Sequence, residues 1–148
     1  MGGHRSRSRE LVFQIVFGLN FDNVESVDFD EMVNNFELSF ADDDSEVDLR
    51  FLDRDYFLEV LRGIVFNKNK IDSTISDNLK RWKIERLSKV DISILRIATY
   101  EMCFNNLDPR IAINEALNIS KKYSSENSYS YINGVLNSIK DVRLRGEN

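Results

Sequence analysis

Apolar residues recur along this chain every three or four positions, which is the spacing that places them on one face of an α-helix. The first stripe covers residues 11–19, where Phe13 and Phe17 form a second apolar row one turn apart. Further stripes follow over residues 29–40, 56–65, 71–82, 90–104, 112–120 and 132–139. Trp82 continues the fourth stripe at the same spacing. The pattern therefore predicts about seven helices.

A few polar and helix-breaking residues mark where these helices begin and end. Asp53 is the expected N-cap of the third helix, because an aspartate side chain accepts hydrogen bonds from the free N–H groups of a first turn. Pro109, the only proline, separates the fifth and sixth helices. The polar residues 124–128 form a loop or an N-cap before the seventh helix. We also expect an exposed acidic loop at residues 41–50 and a tail at residues 1–4.

The composition supports one all-α domain over residues 1–148. Glycines number six and prolines one, whereas sandwiches and barrels need turn residues about every 8–12 positions. With 42% apolar residues, a chain of this length can bury a core without disulfides. The sequence contains no secretory signal and no apolar run of the ~18 residues that a membrane span requires. We therefore expect a cytoplasmic protein whose helices pack as two sub-bundles, with no membrane contact.

The net charge of −5 hides a segregation of charges along the chain. Residues 1–20 carry three arginines and one acid, residues 21–60 fourteen acids and two arginines, and residues 61–148 fifteen bases and ten acids. Charges separated by more than a Debye length of about 8 Å are largely screened from one another. Both basic ends can therefore bind a polyanion although the whole protein is acidic. The charge pattern alone leaves nucleic-acid binding and an ordinary solvated surface open.

Candidate catalytic groups are few. His4 is the only histidine and lies in the expected tail, so the usual general base is missing. Cys103 stands between Met102 and Phe104 on an apolar helix, where we expect a structural thiol rather than a nucleophile. The six glycines form no phosphate-binding loop. We therefore expect no enzyme activity and no cofactor.

One acidic segment has the spacing of a calcium-binding loop. Aspartate or glutamate occupies residues 42, 44, 46, 48 and 53, which correspond to loop positions 1, 3, 5, 7 and 12. Val47 replaces the glycine that such a loop requires at its sixth position, and the last ligand is aspartate instead of glutamate. We therefore expect no metal site.

Four segments resemble, in order and spacing, the motifs of the NusB family of bacterial transcription antitermination factors. They are RSRSRELVFQ at residues 5–14, LSKVDISILRIATYE at residues 87–101, AINEA at residues 112–116 and INGVL at residues 132–136. Together they extend over nearly the whole chain. The resemblance implies an all-helical fold of two sub-bundles and a non-enzymatic role in the bacterial cytoplasm.

The family resemblance also implies partners. It implies binding of single-stranded boxA-like RNA together with the ribosomal protein NusE, within the RNA polymerase antitermination complex that supports transcription of ribosomal RNA operons. A homodimer of the free protein is a further possibility. Two alternatives remain open. One is a helical protein-interaction adaptor that binds no nucleic acid, and the other is a free-standing relative of the RNA-binding domain of a ribosomal RNA cytosine methyltransferase.

The resemblance implies two sets of site residues. The RNA-binding set consists of Arg5, Arg7, Arg9, Lys121, Lys122, Asn127, Ser128, Tyr129 and Tyr131. The partner-binding set consists of Phe13, Phe17 and Asp91. Asn127 stands where the family pattern has an acidic residue, so this chain has one negative charge fewer on the expected RNA face. The periodicity leaves open whether Tyr131 and Phe17 belong to the core, and whether the two lysines are ordinary surface residues.

Overall fold

The computed structural model describes residues 2–19, residue 31 and residues 53–144. The chain divides into two compact units, Met1–Val65 and Phe66–Asn148. This division agrees with the expected two sub-bundles, whereas the single domain over residues 1–148 stays a prediction. The acidic loop at residues 41–50 and, apart from residue 31, the stripe at residues 29–40 lie outside the described residues.

The described ranges contain six α-helices, a short 3-10 turn and no strand, which confirms the all-α class. The elements are α1 (Gly2–Gly18), α2 (Arg54–Phe66), α3 (Lys68–Asp77), the 3-10 turn (Ile84–Arg86), α4 (Lys89–Cys103), α5 (Pro109–Tyr123) and α6 (Glu126–Leu144). None of these helices is long and apolar enough to cross a membrane. Helix α1 begins at Gly2, within the segment 1–4 where the sequence predicts a tail. Once a helix is nucleated, each added residue gains one backbone hydrogen bond.

In the first unit, α1 and α2 contribute apolar faces to the core. Leu11, Val12, Phe57 and Leu61 are each at most 1% exposed. Asp53 caps α2 as predicted, since its Oδ1 accepts the backbone N–H of Tyr56 at 3.1 Å. The backbone N–H of Asp53 in turn donates to Ser8 Oγ of α1 at 2.8 Å, so the cap also fixes where α2 begins relative to α1.

Helix α4 lies at the centre of the second unit and contacts α3, α5 and α6. Of its fifteen residues, eleven are buried, including Leu95 and Met102. Helix α6 buries the stripe of Ile132, Leu136 and Ile139 as the periodicity predicts. Full burial of an aliphatic side chain contributes roughly 1.5–3 kcal/mol, so this apolar centre is the main source of stability of the second unit.

An ion pair ties α3 to α4 at the edge of this core. The Arg96 guanidinium donates to both oxygens of Asp72, Nε to Oδ1 at 2.9 Å and Nη2 to Oδ2 at 3.0 Å. Both side chains are more than four-fifths buried, and Lys68 lies 3.5 Å from the same carboxylate. A two-pronged geometry of this kind is the strongest form of a charged hydrogen bond in proteins.

The fourth predicted stripe is longer than the helix that forms there. Helix α3 ends at Asp77, so the prediction that Trp82 continues its apolar face is wrong. The Asn78 side chain explains the end of α3, because its Nδ2 donates to the Thr74 carbonyl at 2.8 Å. Its Oδ1 accepts the Ser138 hydroxyl of α6 at 2.6 Å. The chain then leaves the helical path, and the Trp82 side chain is 55% exposed.

Candidate nucleic-acid interface

A groove of about 780 Å³ lies in the second unit, between the connection from α3 to α4 and the beginning of α6. We call it the tryptophan groove. Its lining includes Arg81, Trp82, Arg86, Ser88, Asp91, Asn127, Ser128, Ser130 and Tyr131. Four of these belong to the sets expected from the sequence, and the structure brings them together: Asp91, Asn127, Ser128 and Tyr131.

Asp91, which lines this groove, links α4 to α6 through a hydrogen bond. Ser88 caps α4 by accepting the backbone N–H of Asp91 at 3.1 Å. The Ser128 hydroxyl of α6 donates to Asp91 Oδ2 at 3.0 Å. The other oxygen, Oδ1, is buried and has no hydrogen-bond partner in the described part of the chain. Asp91 is only 8% exposed, so this residue offers little surface to a protein partner.

Tyr131 contributes a second buried polar atom without a partner. Its ring is half-buried, and among the described residues nothing forms a hydrogen bond with its hydroxyl. Burial raises the pKa of Tyr131 above its usual value of 10.0, Asp91 raises it further, and Arg81 opposes the shift. The phenol therefore keeps its proton at neutral pH and remains a hydrogen-bond donor.

Two arginines and one indole form the rim of the groove. Arg81, Trp82 and Arg86 are all exposed. In the part of the chain that the structure describes, no carboxylate lies within 4 Å of either guanidinium. None of these three residues is among the site residues expected from the sequence, because the apolar period assigns Trp82 to a buried stripe. Basic residues flanking an aromatic, as in the KRWKIER of residues 80–86, are a signal that could have identified them.

A second pocket, of about 550 Å³, lies beside the first at the junction of α5 and α6. It is lined by Lys121, Ser124, Ser125, Glu126, Tyr129 and Ser130, and we call it the lysine pocket. Lys121 Nζ lies 5.7 Å from the centre of the Tyr129 ring, and Lys122 Nζ lies 5.6 Å from that of Tyr123. Both lysines are exposed. Ser130 lines both cavities, so the tryptophan groove and the lysine pocket are neighbours.

The polar residues at the beginning of α6 have different roles. Ser125 is the cap, since its Oγ accepts the backbone N–H of Ser128 at 3.1 Å. Its carbonyl accepts the backbone N–H of Tyr129 at 2.9 Å. Asn127 is exposed in the first turn of α6 and does not act as the cap. Its side chain is therefore available at the rim of the groove.

The three expected arginines of the first unit differ in exposure. The guanidinium carbons of Arg5 and Arg9 lie 4.8 Å and 5.3 Å from the centre of the Tyr56 ring, which confirms that the two side chains share a face of α1. Arg5 also pairs with Asp53 at 3.4 Å and remains exposed. Arg9 is only 3% exposed, and it is therefore a packed residue rather than a surface cation. Arg7 is exposed.

The two expected partner-binding phenylalanines also differ in exposure. Their ring centres are 6.3 Å apart on α1. Phe13 is buried in the core, whereas Phe17 is 41% exposed. The aromatic row therefore presents a surface only at Phe17.

The described residues contain no group of three or more histidine, cysteine, aspartate and glutamate side chains arranged to hold a metal ion. Asp53, the last position of the calcium-like segment, acts as a helix cap. Burial raises the pKa of the half-buried Cys103 thiol, and Arg143 opposes that shift only in part. A raised pKa reduces the thiolate fraction, which is the opposite of what a nucleophilic cysteine needs.

The fold and these cavities define an all-helical protein with a groove whose rim carries two arginines and one exposed indole. The family model described as the NusB family matches residues 6–141. The transcription antitermination protein NusB of Clostridium botulinum (strain Kyoto / Type A2) is 45% identical over 138 residues, which cover 90% of this chain and 96% of that protein. The chain therefore belongs to the NusB family, as the four sequence motifs predicted.

Solved structures agree with this assignment. NusB of T. maritima is 33% identical to this chain, with a TM-score of 0.71 and coverage of 93% of this chain and 90% of that chain. A structure of the antitermination factors NusB and NusE in complex with double-stranded RNA has a TM-score of 0.74 at 21% identity, and covers 96% of this chain and 99% of that chain. At that identity the second match is evidence for the fold alone.

Proposed function

We propose that this chain is a transcription antitermination factor that binds single-stranded, boxA-like RNA together with the ribosomal protein NusE. It acts in the cytoplasm as part of the RNA polymerase antitermination complex on ribosomal RNA operons. The relatives named above carry the antitermination role in their names. The solved complex of NusB and NusE with double-stranded RNA is a precedent for binding of NusE and of RNA by a protein of this fold.

The RNA part of this proposal rests on one observation. The tryptophan groove lies beside the lysine pocket. Proteins bind single-stranded nucleic acid by combining cations along the backbone with aromatic rings on which bases stack. The exposed cations of the second unit that lie near aromatic side chains include Arg81, Arg86, Lys121 and Lys122. Ser128, Asn127, Tyr129 and Tyr131 complete this surface.

In the first unit, Arg5 and Arg7 supply further phosphate contacts in this proposal. The buried Arg9 packs against the Tyr56 ring that Arg5 also contacts. The partner surface is centred on Phe17, whose exposed ring is a suitable anchor for a protein. The contact of Asp91 with the ribosomal protein stays a prediction. We assign Asp91 the additional task of positioning Ser128.

No catalytic step is part of this proposal. The raised pKa of Cys103 supports a structural thiol. An adaptor that binds only proteins would leave the exposed cations and Trp82 without a role. A free-standing relative of the methyltransferase domain would bind RNA through the same surface. It is distinguished by its independence of the ribosomal protein.

A titration of labelled RNA by fluorescence anisotropy tests the proposed function. We expect a boxA-like single strand to bind more tightly than a scrambled strand and than a duplex of the same sequence, and the ribosomal protein to strengthen that binding. Replacement of Arg5 and Arg7 by alanine should reduce the slope of log affinity against log salt by about 1.4, since each contact with a single strand contributes about 0.7.

Arg110→Ala is the matched control for this titration. Arg110 is an exposed arginine of α5 paired with Asp108 at 3.1 Å, and it lines neither cavity. Its loss should leave the salt slope unchanged. An absence of RNA binding at low salt would overturn the proposed function in favour of the adaptor. An unchanged slope in the double variant would remove Arg5 and Arg7 from the RNA surface.

A further inference from the structure

We propose that the tryptophan groove binds one unpaired RNA nucleotide, with its base stacked on Trp82 and its phosphate held by Arg81 and Arg86. This inference rests on the proposed function and identifies the place where an individual base is recognised. The indole and both arginines lie in the connection from α3 to α4, between Asp77 and Lys89. None of the three belongs to the set that the sequence predicted for RNA binding.

The size of the groove and the exposure of the indole point to a flat ligand. Pockets that bind small molecules usually measure about 300–1,000 Å³, and this groove has about 780 Å³. Trp82 leaves 55% of its surface in solvent, although tryptophan is among the residues with the largest apolar area to bury. A stacked base covers such a ring and requires no change in the helices.

Two residues that line the groove, Asp91 and Tyr131, each carry a buried polar atom without a hydrogen-bond partner among the described residues. Asp91 Oδ1 can only accept hydrogen bonds, and the protonated Tyr131 hydroxyl can donate one. Leaving a buried polar atom unpaired is unfavourable, so this part of the groove favours a ligand with hydrogen-bonding groups over an apolar one. A nucleobase edge carries both N–H donors and acceptors and is a ligand of that kind.

The charges at the rim complete the recognition of a nucleotide. Arg81 and Arg86 have no carboxylate partner among the described residues, and a guanidinium matches the oxygens of a phosphate with two parallel hydrogen bonds. Ser130 lines both cavities, so a strand can continue from the tryptophan groove into the lysine pocket. The next nucleotide enters the lysine pocket, where Lys121 and Tyr129 again place a cation beside a ring.

Trp82 is the only tryptophan of the chain, so its fluorescence reports on this groove directly. The experiment titrates the full chain with fluorescein-labelled boxA-like RNA and follows anisotropy of the label. A parallel titration with unlabelled RNA follows the tryptophan emission. We expect saturable quenching of Trp82 with the same midpoint as the anisotropy change. A duplex of the same sequence should not quench, because its bases are already stacked.

Variants separate stacking from charge. Trp82→Ala should weaken binding about tenfold, within the range found when a stacking aromatic is removed, and Trp82→Phe should restore most of the affinity. Arg81→Ala and Arg86→Ala should each lower the salt slope by about 0.7, unlike Arg110→Ala. Ile111→Ala, which removes an exposed apolar side chain of α5 outside both cavities, should leave affinity unchanged.

The outcomes distinguish this inference from the function on which it rests. If RNA binds by anisotropy but Trp82 is not quenched, or if Trp82→Ala binds as tightly as the wild type, the inference is overturned and the proposed function survives. Equal quenching by the duplex also overturns it. If no RNA binds at all, the proposed function fails as well. Circular dichroism of Trp82→Ala is expected to match the wild type, because the side chain is mostly exposed.

Discussion

At the scale of single residues, neighbours along one helix serve different purposes in this protein. Arg7 and Arg9 are two positions apart on α1, yet Arg7 is exposed and Arg9 is buried beside Tyr56. Two positions along an α-helix correspond to a rotation of about 200°, so their side chains point to nearly opposite faces. The charge of an arginine therefore says little about its role until the helix face that it occupies is known.

Asn127 gives the sharpest prediction at this scale. It lies exposed in the first turn of α6 and lines the tryptophan groove. Asn127→Asp places a negative charge a few ångströms from the proposed RNA phosphates, where repulsion is of order 1 kcal/mol. RNA affinity should fall about fivefold at low salt, and the loss should shrink as salt increases. Anisotropy titrations at two salt concentrations measure both effects.

The same substitution should not harm the fold. An acidic side chain in the first turn of a helix interacts favourably with the free N–H groups there, so the melting temperature should stay the same or rise slightly. Asn118→Asp is the control, because Asn118 is exposed on α5, lines neither cavity and acquires the same charge. Equal RNA affinity of Asn127→Asp and wild type at both salt concentrations would place the RNA elsewhere.

At the scale of elements, the end of one helix creates the candidate site. Had α3 continued along its apolar period, Trp82 would have been buried. Instead, Asn78 bonds Thr74 in its own helix and Ser138 in α6, and the chain turns away. Periodicity reports which residues can share a face, but the hydrogen bonds of a single asparagine decide where the helix stops. The exposure of Arg81, Trp82 and Arg86, which the apolar period does not predict, follows from that one difference.

The ion pair of Asp72 and Arg96, which links α3 to α4, can be tested by measuring the stability of a variant. Asp72→Ala removes both hydrogen bonds from the mostly buried Arg96 guanidinium. The free energy of unfolding should fall by about 1.5–3 kcal/mol, the range for hydrogen bonds to charged groups. Urea denaturation followed by circular dichroism measures this change. Arg110→Ala, which breaks an exposed ion pair, should change stability much less, because water and salt screen such a pair. Similar small losses in both variants would contradict a structural role for the pair of Asp72 and Arg96.

At the scale of the whole molecule, the sequence predicts the fold more completely than it predicts the exposure of single side chains. The all-α class, the cap at Asp53 and the family are confirmed. These features depend on local periodicity, on capping chemistry and on motifs that extend over the chain. Exposure within a helix depends on what packs against it, and one sequence does not contain that information. For this reason Phe13 and Phe17 were assigned together, although only Phe17 reaches the surface.

That difference gives the final prediction, which concerns the protein partner. If Phe17 anchors the ribosomal protein, Phe17→Ala should weaken that complex at least tenfold, because a few aromatic anchors carry much of the energy of an interface. The affinity for RNA alone should stay within about twofold of the wild type.

Phe104→Ala is the matched control, since Phe104 is 37% exposed, close to the 41% of Phe17, and lies in the second unit. Calorimetry with the purified ribosomal protein measures the affinity of each variant. Normal partner affinity in a folded Phe17→Ala protein would move the partner surface away from α1, whereas an equal loss in Phe104→Ala would show that removing any exposed ring has this effect.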